Sequence, residues 1–188
     1  MNNIINHLGY NSYVILSFFF ISLVVLILNY ITKGKINKTL FSSYRSSLFN
    51  PLTYVRLITH IFGHQDWSHF MNNFLYILLI GPMIEEKYGS KNLIIMILVT
   101  ALITGIINSI FSKNKMILGA SGIVFMLIVL SSFVNMEVGK IPITLILICI
   151  FYIVNEVLQG LFKKDNISHM GHLIGALSGF IFGFYIFK

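Results

Sequence analysis

Ser121 stands between glycines in Gly119-Ala120-Ser121-Gly122, and His172 opens an apolar stretch in which Gly171, Gly175, Gly179 and Gly183 recur every fourth residue. A serine hydroxyl is a poor nucleophile until a base takes its proton, and an imidazole does this near neutral pH before returning the proton to a leaving amine. No obvious carboxylate accompanies the histidine, so the pair reads as a dyad. An oxyanion formed by attack needs hydrogen-bond donors, and the backbone N–H of Ser121 near a helix start offers one with a favourable dipole. His69 and Asn73, spaced i, i+4, project from one helix face and supply candidates for the others. Phe125, one turn after Ser121, presents a ring on which an imidazole can stack.

The elements that carry these residues belong in a bilayer. The chain of 188 residues is 56% hydrophobic and 10% charged, with a mean hydropathy of +0.85, against the roughly 25% charged content of a soluble domain. This implies one all-helical membrane bundle, residues 1–188, with no room for a separate catalytic domain. Six apolar segments of spanning length are expected at about 12–32, 67–84, 92–111, 117–135, 141–160 and 168–187. The first reads as a true span, since no basic stretch precedes it and no A-x-A site follows. Turn residues fall between segments: Gly89-Ser90, Lys113-Asn114-Lys115, Gly139 with Pro142, and Lys163 to Asn166. The stretch from Lys33 to Thr59 mixes Lys33, Lys35, Lys38, Arg45 and Arg56 with Leu40, Phe41, Tyr44, Leu48, Phe49 and Tyr54, which predicts a loop lying in the membrane interface. The lone Cys149 excludes a disulfide framework. The net charge of +7 sits in short loops, as topology-setting charge does, and argues against a nucleic-acid partner.

Segments two, four and six run in the same direction, and each bears its polar residues near its start. His69 and Asn73, Ser121, and His172 are therefore expected at one shallow level on one side of the membrane. At 1.5 Å per residue, Ser121 would lie roughly 6 Å below the boundary, within reach of water. On the sixth segment His172, Ala176, Gly179 and Gly183 share a face, and small residues there allow close helix approach, with Gly119 and Gly122 as the matching surface.

At these residues the chain resembles the rhomboid family of intramembrane serine proteases, from Arg56 to Gly183. The family's G-x-S-G is present as Gly119-Ala120-Ser121-Gly122, its H-x-x-G-x-x-x-G as His172 with Gly175 and Gly179, and its H-x-x-x-x-H-x-x-x-N as His64, His69 and Asn73. The resemblance implies a six-helix bundle in which Ser121 is the nucleophile, His172 the base, and His69 with Asn73 the oxyanion pair. Arg56 and Glu85 match positions with structural roles. Val55 replaces the aromatic residue usual before the loop arginine, and Phe125 replaces a frequent tyrosine. The implied partners are the lipid bilayer and transmembrane protein substrates, with neither a cofactor nor a metal required. The resemblance also implies a cell-membrane protein with its amino terminus inside and its site opening outward. That orientation leaves four of the 13 Lys and Arg inside (Lys87, Lys91, Lys140 and Lys188) and nine outside, opposite to the positive-inside pattern.

Each residue has a plainer reading. A serine between glycines commonly packs or bonds a carbonyl one turn back, and Asn73 can tie helices together. His64 suits a loop as well as a site, His169 reads as interfacial or supporting, and Glu156 with Asn155 reads as a gate or, in preference, as the watery end of segment five. Two other function classes compete. His60, His64, His69, His169 and His172 offer ligands for a metal in a transporter or metalloenzyme, His60 and His64 having i, i+4 spacing, although H-E-x-x-H is absent. The remaining class is a non-catalytic scaffold that binds membrane helices.

Overall fold

The computed structural model describes residues 9–111, 115–137, 139–162 and 168–186. Helix α1, Tyr13–Ile31, buries Ile15, Phe18, Ser22, Val25, Leu26 and Asn29, mostly at helical three- and four-residue spacing, and leaves Phe20, Val24, Ile27 and Ile31 exposed. Its first turn is capped from across the bundle. The Glu85 carboxylate accepts a hydrogen bond from the Ser12 hydroxyl, and the N–H groups of Val14 and Ile15 donate to it at 3.0 and 3.3 Å.

The connecting stretch that follows folds into two short helices, α2 (Lys35–Leu40) and α3 (Pro51–Thr59), then a single 3₁₀ turn at His60–Phe62. Pro51 occupies the first helical position of α3, where its missing N–H has no consequence, and Asn50 caps the helix by accepting from Leu52 N–H. Arg56 is 3% exposed. Its guanidinium donates to Ser46 Oγ at 2.7 Å and to the Thr39 carbonyl at 3.4 Å, and it lies 4.3 Å from the centre of the Tyr44 ring. One side chain thus gathers three parts of the loop, while Leu48, Phe49 and Tyr54 point outward.

Helix α4, Trp67–Tyr88, begins at Asp66, whose carboxylate accepts from His69 N–H at 2.8 Å, and ends at Gly89. Helix α5 is Ser90–Phe111. Helix α6, Ser121–Ser131, is the centre of the bundle, with α4, α5 and the last helix, His169–Ile181, as neighbours and nearly all its apolar side chains buried. The apolar stretch expected at 117–135 is therefore helical over only 11 residues. Ser121 opens the helix; it does not lie four residues within it. The cause is tertiary: Ile117 exchanges two backbone hydrogen bonds with Ser43, at 2.9 and 3.0 Å, so residues leading to Ser121 are held extended.

The expected segment 141–160 consists of α7 (Ile143–Ile148), a π turn (Cys149–Ile153) and α8 (Val154–Phe162). Helix α9, His169–Ile181, continues into a second π turn at Phe182–Ile186. The protein is an all-helical membrane protein, and among the described residues the pairing of Ser43 with Ile117 is the one isolated bridge. Among the described residues three helices are long and apolar enough to cross a bilayer: Tyr13–Ile31, Ser90–Phe111 and the continuous Ile143–Gly160. The last has the least of its surface covered by protein, with Ile143, Phe151 and Val154 exposed.

Candidate active site

The site is assembled where the start of α6 meets α4 on one side and α9 on the other. Gly119 has φ +115°, a conformation that L side chains rarely adopt. A Cβ there would also fall 2.6 Å from His69 Nε2 and 3.5 Å from Asn73 Nδ2. Glycine is thus required twice over, and its backbone rests against the His69 and Asn73 face of α4. The Gly119 N–H donates to the His60 carbonyl at 2.9 Å, which anchors the turn to the 3₁₀ segment. Ser121 is the first helical residue after this turn, so its N–H belongs to the group that a helix leaves without an internal acceptor.

Asn73 is buried, and its Nδ2 has no hydrogen-bond partner. A buried donor left in this state is uncommon and marks a place where an acceptor would be welcome. His69 stands beside it with its ring 5.2 Å from that of His64, edge to face. His64 is fully buried against Phe70 and Phe74, and its Nδ1 lies 3.2 Å from the Phe62 carbonyl. In the turn ahead of α4, burial drives the His64 pKa down to about 3 and that of His60 down to about 4, so both rings are neutral.

On the other side, α9 crosses α6 backbone against backbone. A Cβ on Gly175 would meet the Gly122 carbonyl oxygen at 2.0 Å, and one on Gly179 would meet that of Met126 at 2.4 Å. This approach sets the His172 ring flat on Phe125, with centroids 4.4 Å apart and planes 10° from parallel. His172 also lies within electrostatic range of His69. A cavity of about 20 Å³, room for roughly one water, is lined by His60, Thr104, Ser121, Gly122, Ser168 and Gly171.

Glu156 is the residue whose place sequence reasoning missed. It does not sit at a watery end: it is 8% exposed, and its Oε2 is 2.7 Å from His169 Nδ1 and 2.9 Å from His172 Nδ1. A carboxylate therefore does accompany the histidine. The π turn at Cys149–Ile153 holds more residues than an α turn, which rotates the following side chains out of α-helical register and turns Glu156 inward. The available signal was an acidic residue in an otherwise apolar segment. The ligand atoms of Glu156, His169 and His172 lie within 4.8 Å of one another, a donor set that zinc accepts. Among the described residues His60, His64 and His69 do not join that group, and because the 3₁₀ turn ends at Phe62, His60 and His64 do not share a helix face.

The sequence model described as Rhomboid domain matches residues 51–188. Similar curated proteins include Rhomboid-like protein 11, chloroplastic, of Arabidopsis thaliana, 26% identical over an alignment 140 residues long that covers 67% of this chain and 50% of that protein. RHOMBOID-like protein 1 of the same plant is 29% identical over an alignment 133 residues long that covers 69% of this chain and 33% of the relative. The Rhomboid protease GlpG of Salmonella choleraesuis (strain SC-B67) is 36% identical over 72 residues, 38% of this chain and 26% of the protease. The matched part of the chain spans half or less of the length of each of these relatives.

Proposed function

The chain belongs to the rhomboid family, and from that membership together with the site geometry we propose that it is an intramembrane serine endopeptidase cutting the transmembrane segments of other proteins. The observation that carries the reading is the stacking of His172 on Phe125. Phe125 is one helical turn after Ser121 on the same face, so an imidazole lying on it belongs beside the serine.

In this reading Ser121 Oγ attacks the scissile carbonyl carbon, its proton passes to His172, and the C=O electron pair moves onto oxygen. The oxyanion is held by the Ser121 N–H, the Asn73 amide and His69. Collapse of the intermediate expels the amine, which takes the proton from His172, and leaves an acyl ester on Ser121. Water from the cavity beside Ser121 then hydrolyses the ester, with His172 again acting as base. A helical substrate hides its carbonyls in hydrogen bonds and must unwind locally before attack, which favours substrates with helix-destabilising residues near the cut. Six membrane segments, supplied by α1, α4, α5, α6, the α7–α8 unit and α9, complete the architecture, with the site opening to the outer face of a cell membrane. Arg56 and Glu85 serve as ties within the scaffold.

The test is cleavage of a tagged single-span substrate in proteoliposomes, with Ser121→Ala as control, alongside labelling by a serine-directed fluorophosphonate. Cleavage and labelling by the unaltered protein alone are expected. Equal cleavage by both proteins sinks the mechanism, and a substrate bound without labelling or cleavage leaves the helix-binding scaffold.

A further inference from the structure

We infer that Glu156 is a positioning residue that fixes the tautomer and orientation of His172 and shares the charge of its imidazolium, with His169 steering the carboxylate. This rests on the reading of His172 as the base. One oxygen, Glu156 Oε2, faces two imidazole nitrogens: 2.7 Å from His169 Nδ1, in a hydrogen bond, and 2.9 Å from His172 Nδ1, at ion-pair distance. All three side chains are largely enclosed, where water screens little. A carboxylate facing Nδ1 favours the proton on that nitrogen and leaves Nε2, on the opposite edge of the ring, as the nitrogen with a lone pair. When Nε2 takes a proton, the same carboxylate stabilises the cation. The Phe125 ring lies flat against the imidazole, and the Glu156 carboxylate, 2.9 Å from Nδ1, favours the ring orientation that keeps that nitrogen beside it.

The other titratable groups about His172 are few. Helix α6 presents the uncharged Phe125 ring, and α4 presents His69 within electrostatic range. The π turn contributes Cys149 and Tyr152, of which Tyr152 lies edge-on to Phe125, and α8 carries Glu156 as its one ionisable side chain. Among the described residues of these elements, the one carboxylate at ion-pair distance from the ring is Glu156.

The experiment compares the unaltered protein with Glu156→Gln, Glu156→Asp and His169→Gln in proteoliposomes. It reads kcat and KM across pH and, independently of turnover, titrates the ¹⁵N-labelled imidazole of His172. Glu156→Gln is expected to lower kcat about 10- to 100-fold with little change in KM, as loss of support for an acid–base group does. It also moves both the acid limb of the rate profile and the imidazole midpoint to lower pH by about one unit, since an anion beside the ring is gone. Glu156→Asp restores part of both and covers the case in which the amide variant does not fold. His169→Gln gives a smaller change in the same direction. An imidazole that titrates identically in the unaltered protein and in Glu156→Gln overturns the inference. So does a stoichiometric metal on the unaltered protein that Glu156→Gln loses. If fluorophosphonate fails to label Ser121, the protease reading falls, while the imidazole titration still decides the role of Glu156.

Discussion

The His172 ring lies on Phe125 with 4.4 Å between centroids and 10° between planes, and the two residues come from different helices brought together by glycine. Such a pair contributes about 1 kcal/mol beyond the area it buries, or roughly fivefold in a rate that depends on the ring's placement. Phe125→Leu is therefore expected to lower kcat/KM for a reconstituted substrate about fivefold, and Phe125→Tyr to keep it. A leucine variant as active as the parent would show that the imidazole is placed without the stack.

Substitution of Asn73 tests whether its role is catalytic or structural. Its buried Nδ2 has no partner in the resting protein, so Asn73→Ala removes a group that contributes little to folding. The expected result is a fall in kcat of about 10²-fold, typical for loss of an oxyanion donor, with Tm in detergent unchanged or raised. A Tm that falls with the activity would assign Asn73 to packing instead.

Gly175→Ala tests the crossing of α6 and α9. The added Cβ would meet a backbone oxygen at 2.0 Å, so the helices must separate. Overpacking of this kind costs about 1–3 kcal/mol, and the separation also lifts His172 from Phe125. Both Tm and activity are expected to fall. Gly9→Ala, with nothing within 4 Å of the new methyl, serves as the control and is expected to change neither.

The buried rings of His60 and His64 predict acid sensitivity. Their folded pKa values, about 4 and about 3, lie below the ordinary 6.5, so the unfolded chain takes up protons that the folded one resists. Their neutral packing is fully favourable above pH 6.5 and weakens as pH falls, towards 4 for His60 and towards 3 for His64. The slope approaches about 1.4 kcal/mol per pH unit for each group. Unfolding measured in detergent from pH 7 to 4 is expected to show this decline, and His64→Gln a shallower one. A variant with the parent's slope would remove His64 as a cause.

What was legible in the sequence followed local pattern. The glycines around Ser121, the i, i+4 pair His69 and Asn73, and the four-residue glycine repeat of α9 all fix which side chains share a face, and helical spacing is enough to see it. The start of α6 was not legible, because it depends on Ile117 pairing with Ser43, far away in the chain. Glu156 was hidden for a related reason. A π turn leaves no plain mark in hydropathy, yet it changes the face on which every later residue of that segment falls.

The capping of α1 by Glu85 bears on where this domain begins. The family match starts at residue 51, after α1, yet the carboxylate on α4 receives the Ser12 hydroxyl and the first N–H groups of that helix. Excising residues 9–50 would leave Glu85 with Ser90 as its remaining partner and would uncover Phe18's neighbours Phe62 and Phe74. The start of the family match thus falls inside a set of contacts that ties α1 to α4 and to the 3₁₀ turn.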